Sequence, residues 1–204
     1  MADTVVLSVV LPGHMDRYPF PILHQLHRQA SRLNDERGVP VVEVLSIIDN
    51  GSLSVGEKMN RLYEMSCGAY VAGVGDDDQI SPDYVKKLVS TIEENPGVDL
   101  VSFNHHYYVN GTHNALTVVS MGHRDSQVEG LHHRKPTPKC AIRADICRAF
   151  VCPKISDKED QAMSEWLVGR LETEATIEEP IYTHDWDRKN KTWRTEQAKF
   201  WRRQ

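Results

Sequence analysis

Three short apolar runs, each closed by turn-forming or acidic residues, constrain this chain more than anything else in it. Thr4 to Leu11 is β-branched, almost wholly apolar, and followed by Pro12-Gly13. Val41 to Ile48 is a second such run, followed by Asp49-Asn50-Gly51-Ser52, and Ala69 to Ala72 is a third, leading into Gly73-Val74-Gly75-Asp76-Asp77-Asp78. Continuous apolar runs of this length read as strands buried on both faces, as in a parallel sheet. The first is expected to stop at Pro12-Gly13.

Helical spacing fills the intervals. Pro21 to Asn34 places Ile22, Leu23, Leu26, Ala30 and Leu33 on one side, and Gly56 to Cys67 does the same with Met59, Leu62, Tyr63 and Ser66. A third helix is expected with Ser81 as N-cap and Pro82 at its first position, turning Tyr84, Val85, Leu88, Val89 and Ile92 inward. Asn95-Pro96-Gly97 ends it before a strand over Val98 to Phe103. This alternation predicts an α/β domain, with right-handed crossovers gathering the strand ends on one edge of the sheet. Ligands of open parallel sheets bind in the crevice outside those ends. Gly13, His14 and Asp16, then Asp49 and Asn50, then Asp76, Asp77 and Asp78 are therefore expected to converge. Adjacent carboxylates repel one another, and a hard cation such as Mg²⁺ or Mn²⁺ is one way to compensate them. A solvated acidic turn is the other reading.

Four segments, in order and spacing, resemble the family 2 glycosyltransferases: Ser8-Val9-Val10-Leu11-Pro12, Ile47 to Ser52, Gly56-Glu57-Lys58-Met59-Asn60, and Gly68 to Asp78. The resemblance covers residues 4 to 110 well and 150 to 187 more loosely. It implies the GT-A fold, a Rossmann-like, mostly parallel sheet flanked by helices. It also implies a nucleotide-sugar site drawn from Pro12, His14, Asp16, Asp49, Asn50, Lys58, Asn60 and Asp76. Asp49 would recognise the base, and Lys58 and Asn60 would reach the base and diphosphate. The family often carries an Arg where this chain has Met59, and Lys58 is the nearest substitute charge. The acidic motif, usually Asp-x-Asp, reads Gly75-Asp76-Asp77 here, with Asp78 next. By the resemblance Asp77 holds Mn²⁺ or Mg²⁺, Asp78 assists, and Asp76 lies near the ribose. A cation bridging both phosphates would stabilise the leaving nucleoside diphosphate.

The stretch Lys154 to Asp160, followed by a helical-looking Gln161 to Leu171, resembles the family's late Glu-Asp motif. It implies Asp160 as the base that deprotonates the acceptor hydroxyl, with Glu159 positioning either Asp160 or the acceptor, and inversion by single displacement. The alternative is that both acids merely favour a helix's first turn. His184, after the strand-like Ile181-Tyr182-Thr183, is read either as a ligand to metal or diphosphate or as a structural imidazole. His105-His106 and His132-His133 lack partners at metal-ligand spacing. Asn110-Gly111 predicts a hairpin joining Phe103–Tyr108 to Ala115–Met121, and residues 122 to 139 read as a loop of the kind that orders over a bound donor.

The chain has 204 residues, of which 40% are hydrophobic, and no linker or repeat divides it. One domain over 1–187 is expected, with a nucleotide-sugar-binding half (1–110) and an acceptor or catalytic half (111–187). Cys67, Cys140, Cys147 and Cys152 show no Cys-x-x-Cys pairing, no signal segment precedes the first strand, and no apolar run approaches the ~20 residues that span a bilayer. These features predict a soluble, cytoplasmic protein. The net charge of −5 argues against general nucleic-acid affinity. Residues 188–204, however, are basic, with Trp193, Phe200 and Trp201 interleaved, and either pack as a helix or meet an anionic partner. The expected donor is a UDP-sugar. The acceptor classes are a glycan, lipid-linked or on a surface, and a hydroxymethylated DNA base of the kind some virus-encoded relatives of such families modify. The rival readings are a nucleotidyltransferase, for which the loop after the first strand is poor in Gly and Lys, and a donor-binding module without turnover.

Overall fold

A computed structural model describes residues 5–128 and 130–186; the basic tail lies outside them. Strands β1 (Leu7–His14), β2 (Val42–Asp49) and β3 (Tyr70–Gly73) pair in parallel, with β1 in the middle. The sheet runs β2-β1-β3-β9-β5-β6-β8-β7, where β5 is Leu100–Val109, β6 Thr112–Val119, β7 Ser126–Val128, β8 Leu131–Arg134 and β9 Ala141–Arg143. The long β10 (Glu174–Trp186) lies parallel to β5 and also pairs with the two-residue β4 (Gln79–Ile80). Because β9 is antiparallel to both its neighbours, β2, β1, β3, β5 and β10 all point the same way. Their carboxyl ends share one edge.

Alternation along β1 shows how the sequence builds layers. Leu7, Val9 and Leu11 join the core under α1 (Phe20–Arg37) and α3 (Tyr84–Glu94). Val10 faces the opposite core, formed with α2 (Val55–Met65), α4 (Ala144–Ala149) and α5 (Glu159–Leu167). Successive strand residues point to opposite faces, so a run apolar at nearly every position is what a sheet covered on both sides requires.

Several boundaries depart from the sequence reading. β1 does not stop at Pro12-Gly13 but continues to His14, with Gly13 opposite Ile48 and His14 opposite Asp49. A side chain at residue 13 would come within 2.9 Å of Ile48 Cγ1, so glycine is what allows the two strands to stay together there. Ser81 is not the cap of α3: the N-cap is Asp83, and Ser81 continues from β4, its N–H donating to Ile181 O. Its hydroxyl donates to Asp83 Oδ1 at 2.7 Å. α2 begins at Val55 on a reciprocal Ser54/Glu57 capping box. α5 begins two residues early, at Glu159, and ends at Leu167 instead of Leu171. The 122–139 segment is not all loop, since it supplies β7 and β8, while the hairpin turn falls at Asn110-Gly111 as expected.

Gly56 governs how α2 meets the chain ahead of α5. Its N–H donates to Ile155 O at 3.0 Å, and a Cβ there would sit 1.8 Å from the Pro153 carbonyl oxygen. Gly56→Ala should therefore destabilise the protein by about 1–3 kcal/mol, as overpacking does. Gly122→Ala, where the nearest atom is 3.9 Å away, should leave the urea midpoint unchanged. Equal midpoints for the two variants would show that the 153–155 segment yields freely.

Candidate active site at the carboxyl ends of the parallel strands

The strand ends do converge, and they divide into two groups. At the β1–β2 end, Asp49 anchors its own turn, accepting from Gly51 N, Leu53 N and Ser52 Oγ. The Lys58 ammonium, buried, lies 2.5 Å from Asp49 Oδ1 and donates to Gly13 O at 2.6 Å. The Lys58 contact leads a set of bonds that hold Asp49 far below the ordinary carboxylate range. His14 stands beside this turn, its Nε2 only 3.1 Å from where a Cβ on Gly51 would be. Its Nδ1 accepts from Asp16 N at 3.2 Å, and the Asp16 side chain is exposed. Asn50 is exposed at the turn.

The acidic loop after β3 forms the second group, and each carboxylate has a different setting. Asp76 is buried and accepts from His14 N at 2.7 Å and from Arg17 NH1 at 3.2 Å. Asp77 is the most open of the three and lies 3.8 Å from the same guanidinium. Burial works against the Arg17 charge, but Asp76 and Asp77 outweigh it and raise its pKa. Asp78 is fully enclosed. It accepts from Tyr182 OH, lies 2.6 Å from His184 Nδ1, and pairs with Lys139 Nζ at 3.1 Å. Burial opposes its ionisation, yet Lys139 and His184 prevail and hold its pKa well below the usual value. Gly75 N–H donates to Tyr182 OH, and a Cβ at residue 75 would meet Asp78 Oδ2 at 2.3 Å. The Asp78 carboxylate thus fills the space a side chain at residue 75 would need, which explains the glycine.

These groups face a cavity of about 200 Å³ whose walls include Pro12, Arg17, Asp76, Asp77, Asp78, Lys139, Glu159, Asp160 and His184. Asp49, Asn50, His14, Asp16, Lys58 and Asn60 do not line it. Asn60 is committed elsewhere, with its amide bonded to both the N–H and C=O of Cys152. Met59 does line the cavity, as an apolar wall. The charge missing at Met59 is therefore not made up by Lys58, which faces Asp49; the cavity's cations are Arg17 and Lys139. Both were missed by sequence reasoning. Lys139 sits in an expected loop, and nothing in its neighbours signals Asp78. Tyr182, which ties the acidic loop to β10, could have been suspected from its place two residues before His184.

Glu159 and Asp160 open α5 without capping it. The N-cap is Lys158 in a left-handed conformation, and Asp160 Oδ1 accepts only from the adjacent Gln161 N. Glu159 is half-buried, and burial, with repulsion from Asp160 and Asp157, raises its pKa. Asp160 is exposed and reaches the cavity.

Among the described residues, no three His, Cys, Asp or Glu side chains are grouped to hold a metal alone. The donor chemistry fits a cation that takes its remaining ligands from a substrate. Asp77 offers a carboxylate, and His184, whose Nδ1 lies 2.6 Å from Asp78 and 3.2 Å from Lys139 Nζ, lines the same cavity; a carboxylate behind the imidazole is common at metal-binding histidines. Asp78 then orients His184 instead of offering an oxygen itself.

No family model and no curated protein sequence matches this chain. Solved structures do. The S. aureus TarS 1-349 crystal structure superposes with a TM-score of 0.63 at 16% identity, covering 89% of this chain and 60% of that one. Its complex with UDP-GlcNAc gives 0.61 at 15% identity over 93% and 61%, and its complex with UDP gives 0.58 at 15% over 89% and 60%. This chain thus spans about three fifths of the solved chains it matches. TarS is a family 2 glycosyltransferase, and the fold of this chain is the GT-A fold, with its mostly parallel sheet flanked by helices.

Proposed function

We propose that this chain is a glycosyltransferase that moves a sugar from a nucleoside-diphosphate donor, a UDP-sugar, to an acceptor hydroxyl with inversion. The observation that carries this reading is the meeting, in one cavity, of the acidic loop after β3, the Glu159–Asp160 pair of α5 and the cations Arg17 and Lys139. Those groups come from segments as far apart as Arg17 and His184. The UDP-GlcNAc and UDP complexes of TarS support a uridine donor for this fold. A nucleotidyltransferase would put a Gly-rich basic loop after β1, and here that position carries a 3-10 turn, Met15–Arg17, packed on Asp76.

The base and ribose of the donor fall to the turn built by His14, Asp49 and Gly51, whose carboxylate is fixed and charged before any ligand arrives. The diphosphate falls to the cavity. Mn²⁺ or Mg²⁺ held by Asp77 and His184 would neutralise the charge that develops on the leaving diphosphate. Arg17 and Lys139 supply fixed positive charge on the same wall, aimed where negative charge grows. Asp160, open to solvent and free of any cation within the described structure, takes the proton from the acceptor hydroxyl. Glu159, half-buried beside it, holds the hydroxyl in place and repels a second negative charge. The exposed Asp160 and enclosed Asp78 thereby have opposite tasks: one accepts a proton, the other never releases its partners.

Asp160→Asn should keep UDP affinity while lowering the transfer rate by roughly 10²–10⁴-fold, the range for loss of a general base. Retained transfer would remove Asp160 from that role. Asp77→Ala should weaken UDP binding in Mn²⁺ and change it little in EDTA, measured by calorimetry; equal losses in both would exclude Asp77 as a metal ligand. Titration of the wild-type protein with UDP-sugars tests the donor class directly. Metal-dependent binding followed by slow UDP release is expected, whereas binding without release to any acceptor would favour a donor-binding module.

A further inference from the structure

A second cavity, of about 330 Å³, adjoins the first and shares three walls with it: Lys139, Asp160 and His184. Asp160 therefore faces both spaces. A molecule in the second cavity could present a hydroxyl to Asp160 while the first holds the donor. The far walls come from β5, β6 and β8 and from the segment after β8.

Those far walls are unusually basic. Arg134 and Lys135 stand at the end of β8, and among the described residues neither side chain has a carboxylate within ion-pair distance. Asp125 is the acid nearest to them in the sequence that lines this cavity, and its Oδ1 accepts from the Lys135 backbone N–H at 3.1 Å. Lys139 adds a third cation, already paired with Asp78. His105 and His132 also line the space. Each leaves one buried ring nitrogen, Nδ1 and Nε2 respectively, with no partner among the described residues. Burial, aided by the nearby Lys139 charge, holds His105 down to about 3, so it offers hydrogen bonds instead of charge. Buried polar atoms are nearly always satisfied. Unpaired cations beside unsatisfied imidazoles describe a site shaped for a polar, negatively charged ligand.

We infer that this second cavity is the acceptor site and that the acceptor carries a phosphate ester close to its reacting hydroxyl, gripped by Arg134 and Lys135. The inference rests on the glycosyl-transfer reading and narrows it, since a neutral glycan would leave these cations without a purpose. Phosphate is the chemistry that a guanidinium and an ammonium on one wall recognise best, the former in bidentate fashion. A phosphorylated sugar and a hydroxymethylated DNA strand both offer a hydroxyl next to such an ester.

The test uses the full chain saturated with UDP in phosphate-free buffer, with glucose 6-phosphate, a short hydroxymethylcytosine oligonucleotide and glucose as probes. At least one of the two phosphate-bearing probes should bind, and the one that does identifies the source; glucose should not. The double variant Arg134→Ala/Lys135→Ala should weaken that binding about tenfold or more, as expected for the loss of charge-assisted contacts, and added salt should mimic the loss. Both side chains lie away from the hydrophobic core, so its melting temperature and UDP affinity should match wild type. Phosphate-bearing probes that bind no better than glucose, or that bind the double variant as well as wild type, overturn the proposal. Failure of UDP itself to bind, with the anion still held in an Arg134-dependent way, overturns the transferase reading and leaves a phosphate-binding cavity of another kind.

Discussion

The buried Asp78 carboxylate is the contact on which the rest of the site depends. A charge enclosed this fully is costly unless each lone pair is met, and breaking one partner of such a set costs about 3–5 kcal/mol. Here the partners come from separate parts of the chain: Tyr182 and His184 from β10, Lys139 from the segment before β9. The acidic loop, the long last strand and the segment before β9 are thus fixed to one another by a single carboxylate. Tyr182 extends the lock inward. Its ring stacks on Phe103 at 5.8 Å and meets Tyr84 at 6.1 Å, so the hydroxyl that touches Asp78 is anchored in the core under α3.

Two cations shared among three carboxylates also ease the repulsion implied by three adjacent Asp residues. Asp78 has Lys139, Asp76 has Arg17, and Asp77 shares the Arg17 guanidinium at a longer distance while keeping more of its surface open. The loop is therefore neither a solvated acidic turn nor a bare metal cage. Asp76 and Asp78 are enclosed, and Asp77 keeps the most exposed carboxylate of the three.

Much of this was legible in the sequence for simple reasons. Runs such as Thr4–Leu11 and Val41–Ile48 can only be buried on two faces, and that alone gives a parallel sheet whose ends meet. Asp77, Asp160 and His184 reach the same cavity because strand order and crossover handedness allow few alternatives. What could not be read depends on contacts between residues far apart in the chain. Lys58 and Asn60 were both expected to reach the donor's base and diphosphate; Lys58 pairs with Asp49, nine residues before it, and Asn60 clamps the Cys152 backbone. Neither partner is implied by local spacing. The boundary errors have the same origin: Ser81 is held by Ile181 and so cannot begin α3, and β1 runs on because β2 continues to pair with it.

Gly75 shows how such a long-range contact can rewrite a motif. Read as sequence, a glycine at the first acidic position is a loss. In the folded chain the adjacent space is already filled by a carboxylate, that of Asp78, which is held there by Tyr182, His184 and Lys139. A carboxylate reached by two routes is still one carboxylate, and a side chain restored at residue 75 would have to displace it. The space beside residue 75 is therefore held by Asp78, which also positions His184. That imidazole stacks on Tyr107, whose ring approaches His132 at 5.3 Å. The same aromatic line that begins at the acidic loop thus ends in the wall of the second cavity, so the positions of the two cavities are set by one continuous set of packed side chains.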